Sequence, residues 1–310
     1  MMKKIFSLIT ILILFLCNFE NVNAEIFIKA KINNQILTNF DVKNEKNYLL
    51  ALNPSLRNLS TMEINQYATD SLINENIKRI EIEKRYEILQ NKKMINKVIR
   101  DIYTGLGISS MNEFEEYLDK YNISLGLVKN KISIEIAWND YIFNTFNRSI
   151  LIDENKIREK IKKLSKQSKV ENILLSEIIF TINDNESLES KFDNIKNSIN
   201  KIGFEETAKI YSVSDSKKNG GKIGWVYKTQ LSKKILDEIE KIDVGQLTKP
   251  ITTPGGFILL KLSDKKNEII KIDEEEQFKK AVNFEKNRQL TIYSTLQYKR
   301  VYNKSTINEF

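Results

Sequence analysis

Any chemistry in this chain is done without histidine. None occurs among the 310 residues, and the one cysteine is Cys17. That removes Ser-His-Asp and Cys-His nucleophile pairs, histidine general bases and histidine-ligated zinc. A single cysteine permits no intrachain disulfide and no cysteine metal cluster. The stretch that stands out instead is YSVSDSKKNGGKIGW, from Tyr211 to Trp225, with Ser214 and Asp215 ahead of a double glycine. Three of the ten glycines, Gly220, Gly221 and Gly224, fall within seven residues there. The spacing predicts a tight turn at Gly220 and Gly221, where side chains would forbid the backbone shape. A strand follows, with Ile223, Trp225 and Tyr227 on one side. NGGKIG is not a phosphate loop, because the Walker spacing and the following Ser or Thr are missing. No metal-ligand spacing is present, so neither a metal nor another cofactor is implied.

The elements around this turn form a distinct region. Seven of the ten glycines and two of the three prolines lie between 203 and 256. NILLSEIIFTI reads as a strand, SLESKFDNIKNSINKIG as a helix ending at Gly203, and FEETAKIYS as a short helix. KIGWVY is a strand, SKKILDEIEKI a helix, GQLTKPI a turn and strand, and GGFILLKLSDKK a last strand. The order β-α-α-β-α-β-β is that of a small α+β unit of about ninety residues.

Ahead of it the pattern is helical. EIFIKAKINNQIL reads as a hairpin turning at Asn33-Asn34, and Thr38 with Asp41 caps the helix that follows. Ser60 and Glu63 open a long helix through about Leu89, with Ile64, Tyr67, Leu72, Ile73, Ile77 and Ile80 on one stripe. Ser110 and Glu113 repeat the device, a helix over about 124–147 holds Trp138, and DENKIREKIKKLSK is another. Such stripes are core or a groove for a partner, and spacing does not separate the two. From Glu274 a polar helix runs to about Tyr298, after which YKRVYNKSTINEF suits a final strand.

Hydrophobic residues make up 41% and charged residues 29%, which suits a packed core. The net charge of +8 reflects a Lys-rich composition, since no run of five or six basic residues occurs. Nucleic-acid binding is therefore disfavoured. Lys3 and Lys4, an apolar run from Ile5 to Phe19, and Val22-Asn23-Ala24 before Glu25 read as a cleavable secretory leader. The run is shorter than the ~20 residues of a spanning helix, so no stable membrane insertion is expected after cleavage.

The stretches LLSEIIF, FEETAKIYSVSDSKKNGGKIGWV and GQLTKPITTPGGFILLKL, in this order, resemble the parvulin-type peptidyl-prolyl isomerase domain over about 171–265. With the leader, the opening INNQILTNFDV and the helical flanks, the chain resembles the SurA-type periplasmic chaperones. The resemblance implies an α+β fold: a mostly helical chaperone-like module and a small parvulin-like unit with a mixed sheet. It implies a leader at 1–24, a helical chaperone region at 25–170, the parvulin-like unit at 171–265, and a C-terminal helix and tail at 266–310 packing on the N-terminal module.

Parvulins twist an X–Pro amide with a dry apolar cup and polar groups, and need no nucleophile. Carried over position by position, the first histidine position matches Glu177 and the Cys or Asp position matches Ser214, with Asp215 next door. The pocket positions match Leu231 and Ile235. The second Phe position falls on Gly255, with Phe257 two residues on, and the second histidine position falls on Ile258. Both histidines are lost and one wall is missing. Ordinary roles are open to each: a solvated Glu177, Ser214 as a loop cap, Leu231, Ile235 and Phe257 as core, and Trp225 packed in the sheet. The implied function is an ATP-independent periplasmic folding factor for unfolded outer-membrane or secreted polypeptides. The alternative is an active prolyl isomerase on the same exported clients, with Glu177 and Ser214 as substitute polar groups.

Overall fold

Two capping boxes set the start of the helical region. The computed structural model describes residues 25–85, 87–88, 91–165, 170–182, 186–268 and 273–310; the expected leader, with Cys17, lies outside them. Asn33, at φ 53°, turns β1 (Ile28–Ile32) into β2 (Gln35–Thr38). Thr38 then caps α1 (Asn39–Leu52): its N–H donates to Asp41 Oδ2 at 2.7 Å, and the Asp41 N–H donates back to its Oγ1 at 3.3 Å. Ser60 and Glu63 do the same for α2 (Thr61–Glu83), at 2.9 and 3.3 Å. Each box satisfies two amide donors that a helix start leaves open. Ser60→Ala is expected to lower stability by about 1 kcal/mol, read as a fall in melting temperature.

The helix expected to reach Leu89 ends at Glu83, and a separate helix, α3 (Lys92–Gly105), follows from an Asn91 cap. Its Ile95, Ile99 and Tyr103, one turn apart, pack with Phe114 and Leu118 of α4 (Met111–Asp119) and with Val128, Ile132 and Ile136 of α5 (Leu125–Phe146). After α6 (Glu154–Ser165) the chain leaves this region and returns only with α10 (Glu274–Lys304). That helix runs six residues past its expected end. Val301 is therefore helical, and the final strand shrinks to β7 (Ile307–Glu309), antiparallel to β1. The first and last strands thus share one sheet, in the order β2-β1-β7. Ala30, Ile32 and Leu37 bury its inner face against Ile73, Ile77 and Val301. Trp138 is the centre of the next layer: it packs with Ile82, Ile134, Tyr141 and Ile142, and its Nε1–H donates to Ser294 Oγ of α10 at 2.8 Å. No helix of the described residues is long and apolar enough to cross a membrane.

Between α6 and α10 lies the second region: β3 (Val170–Phe180), α7 (Leu188–Ile202), α8 (Phe204–Tyr211), β4 (Lys222–Tyr227), α9 (Lys233–Ile239), β5 (Ile251–Thr253) and β6 (Gly256–Glu268). The sheet order is β4-β3-β6-β5. A mixed sheet is the expectation from sequence, yet every pairing is antiparallel. The cause is where the chain re-enters. After two helices it comes back to the same end of β3, where the Val213 N–H donates to the Ile179 carbonyl at 2.7 Å, so β4 must run against β3.

Alternation along β3 sorts the core into two faces. Ile178 and Phe180 pack under α7 and α8 with Ile195, Phe204, Ala208 and Leu259. Ile173, Leu175 and Ile179 face α9 with Ile251, Ile258, Leu260 and Leu262. The first face meets the helical region. Ile202 joins a cluster with Val42, Leu49, Leu56 and Ile64, and Lys201 Nζ lies 2.6 Å from Glu63 Oε1.

Candidate functional site

The site begins with three hydrogen bonds that lay a loop on β3. The Ile179 N–H donates to Ser212 Oγ at 3.0 Å and the Val213 N–H to the Ile179 carbonyl. Nine residues later the Glu177 N–H donates to the Gly221 carbonyl at 2.7 Å. The loop between makes a 3-10 turn over Asp215–Asn219, capped by Ser214. Its exit requires glycine. Gly220 and Gly221 have φ of 64° and 78°, and a Cβ on Gly221 would lie 2.2 Å from the Glu177 carbonyl oxygen. The double glycine therefore lets the loop close on the strand that carries Glu177.

This closure stacks Ser214 and Ser216 over Glu177. The Ser214 hydroxyl donates to Glu177 Oε1 at 2.7 Å and the Ser216 hydroxyl to the same oxygen at 2.9 Å. The two serine oxygens are 3.1 Å apart. Ser214 is buried, while Ser216 is half-buried. Glu177 is thus a hydrogen-bonded carboxylate rather than a solvated one. Burial pushes its pKa above the ordinary carboxylate value, and the two hydroxyls oppose that shift. Ser214 also caps the 3-10 turn, accepting from the Ser216 N–H at 3.4 Å, so that one hydroxyl both accepts from the turn and donates to Glu177.

The sign of the Glu177 shift fixes a pH dependence. The folded state holds its proton more tightly than the unfolded chain. This contribution to stability is therefore complete at low pH and is lost as pH rises through the folded pKa. Glu177→Gln, which carries no charge to bury, is expected to melt no lower than the parent near about pH 7 and to lose any advantage near about pH 4. Paired thermal melts at the two pH values check this.

Leu231 and Ile235 lie on the same side of the sheet as Glu177. Both are half-buried against Ile251, Ile258 and Leu260, and Leu260 pairs with Glu177 across β3 and β6. Phe257 is not with them. It pairs with Phe180 and stacks on that ring at 5.7 Å, on the face under α7 and α8. One residue of register separates it from Ile258, and a one-residue step in a strand changes face. Gly255, where the missing wall belongs by resemblance, is filled from elsewhere: a Cβ there would be 3.4 Å from Ile292 of α10.

Two further placements differ from expectation. Trp225 is 41% exposed, with the Lys266 ammonium 4.3 Å from its ring centre, rather than packed in the sheet. Gly224, at φ 94°, sits where the β3–β4 register shifts. The bulge breaks strict alternation, so Ile223 and Val226 take the core face and Trp225 turns outward. Ser216 is the residue that carrying over positions misses. Its signal is the Ser-x-Ser spacing at a turn start, where the first hydroxyl caps the N–H of the second serine and so draws the two together.

Residues 173–264 match the Rotamase family model, described as the PPIC-type PPIASE domain. The Chaperone SurA of Pseudomonas putida is 25% identical over 218 residues, covering 66% of this chain and 50% of that protein. The Foldase protein PrsA 3 of Bacillus anthracis is 26% identical over 189 residues, covering 56% of this chain and 66% of that protein. A solved chain from Campylobacter jejuni, from work on two structurally related SurA-like chaperones, is 15% identical. It covers 91% of this chain and 98% of its own, with a TM-score of 0.36. The chain spans about half the length of the SurA relatives it matches over the longest stretch.

Proposed function

Because the chain carries one PpiC-type domain and is related over about two thirds of its length to SurA chaperones, we propose that it is a periplasmic folding factor. It holds unfolded outer-membrane or secreted polypeptides without ATP. The observation that carries this reading is the length of the SurA relationship, which runs over 218 residues and so extends beyond the PpiC-type unit at 173–264 into the helical flanks. Weak contacts at several points along an extended client would release it without an energy source. Export through the leader at 1–24 supplies the compartment. The test is dilution of a denatured outer-membrane β-barrel protein into buffer with the mature chain and no nucleotide. Scattering falls towards zero near equal molar amounts if the reading holds; unchanged scattering at a large excess rejects it.

A second reading is favoured by one specific arrangement. Glu177 with its two serines shares a sheet face with the apolar Leu231 and Ile235. A prolyl ring needs apolar contact, and a twisted amide needs a polar partner beside it. On this reading the PpiC-type unit retains slow prolyl isomerisation. Exchange spectroscopy on a short proline peptide is expected to show faster cis/trans exchange with the chain present. Leu231→Ala should remove most of the gain; no enhancement at high protein concentration rejects the reading.

A further inference from the structure

The three oxygens of Glu177, Ser214 and Ser216 form a closed triangle with edges of 2.7, 2.9 and 3.1 Å. Each serine has one hydroxyl proton to place. With Glu177 ionised, both hydroxyls donate to Glu177 Oε1, because a carboxylate only accepts. Neither is then free for a ligand. A proton on Glu177 Oε1, the oxygen both serines meet, reverses the direction. Its own O–H donates to Ser214, the Ser214 hydroxyl turns to Ser216 across the 3.1 Å edge, and the Ser216 hydroxyl is released. Ser216 is the more exposed of the two serines.

We propose that Glu177, Ser214 and Ser216 are a proton-gated hydrogen-bond relay whose output is the Ser216 hydroxyl, offered to a carbonyl of a bound prolyl peptide only when Glu177 is protonated. Ser216 is then a peptide-contacting residue and Ser214 the positioning residue between it and the proton. This rests on the reading of Leu231 and Ile235 as the apolar floor for the same peptide.

The charged groups on the elements around Glu177 are engaged elsewhere. On the loop, Asp215 pairs with Lys218 at 3.4 Å, and Lys217 is close enough to Lys78 and Glu135 of the helical region to feel their charges. On β4, Lys222 pairs with Glu205 of α8 at 3.0 Å. On β6, Lys261 lies over the Phe204 ring on the opposite face. On α9, Lys234 donates to the Thr252 carbonyl and Glu238 pairs with Lys241. Burial and the two hydroxyls are what govern the Glu177 proton, and burial raises its pKa.

The test is the affinity of an uncharged, end-blocked proline peptide for the full mature chain, followed by NMR titration between about pH 5 and about pH 8. The parent is expected to bind about fivefold more tightly at the low end, the size of one net hydrogen bond. Glu177→Gln, whose amide donates to Ser214 at every pH, should bind at the tight level throughout. Ser216→Ala should bind at the weak level throughout. A flat parent profile, or a pH step that survives in Glu177→Gln or Ser216→Ala, overturns the relay. If the peptide binds with the expected profile but its exchange is no faster than free, the relay stands and the isomerase reading falls. If the peptide binds at no pH, both fall, and client holding by the helical region is untouched.

Discussion

Gly221→Ala is expected to unfold the four-stranded region at temperatures where the parent is intact. The added methyl would start 2.2 Å from the Glu177 carbonyl oxygen and 3.0 Å from Ala208 Cβ. The first neighbour is backbone, so no side chain can swing away. The loop must lift, which breaks the 2.7 Å bond from the Glu177 N–H to the Gly221 carbonyl. Alanine at φ 78° adds its own backbone cost of about 1 kcal/mol. The sum is about 3 kcal/mol or more, among the larger single-residue effects. Gly224→Ala is the control. Its φ is 94°, but an added Cβ meets nothing within 4 Å, so only the backbone cost of about 1 kcal/mol applies. Melting curves of the two variants separate close approach from dihedral strain.

Trp138→Ala is expected to loosen the joint between α5 and the returning helix α10. The indole is almost fully buried between Ile82, Ile134 and Tyr141 on one side and the α10 residues Leu290 and Tyr293 on the other. Truncation leaves a cavity as well as losing apolar contact, about 3 to 5 kcal/mol for a buried tryptophan. It also leaves the Ser294 hydroxyl without the donor now 2.8 Å away. Ser294→Ala alone removes only that bond, about 1 kcal/mol. Because α10 leads into β7, amide exchange in Ile307–Glu309 and in its partner β1 should accelerate with Trp138→Ala and change little with Ser294→Ala.

Local signals were legible where one or two residues decide the outcome. Asn33, Thr38 with Asp41, Ser60 with Glu63, and the Gly203 helix end each act on backbone within a few residues of themselves, and the structure places them as the sequence suggests. The α+β class and the element order of the second region follow from the same signals plus periodicity. What was hidden depends on distant partners. Val301 continues α10 because it fills a hole beside Ala30 and Ile77, which no local pattern reveals. The antiparallel sheet is decided by the bond from Val213 to Ile179. Trp225 changes face because Gly224 introduces a bulge, and alternation counted across a glycine fails there. At the candidate site, position-by-position transfer names Glu177 and Ser214 but not Ser216, which the loop closure brings to the same carboxylate oxygen. Phe257, grouped with Leu231 as a pocket residue by the resemblance, lies across the sheet from it.

The central claim is that client holding belongs to the helical region and prolyl contact to the sheet face bearing Glu177. The most direct test is fluorescence anisotropy of a labelled, unfolded outer-membrane protein titrated with the mature chain and with its Leu231→Ala variant, without nucleotide. The account predicts saturable binding that is the same for both proteins. Absence of binding, or binding lost with Leu231→Ala, would contradict it.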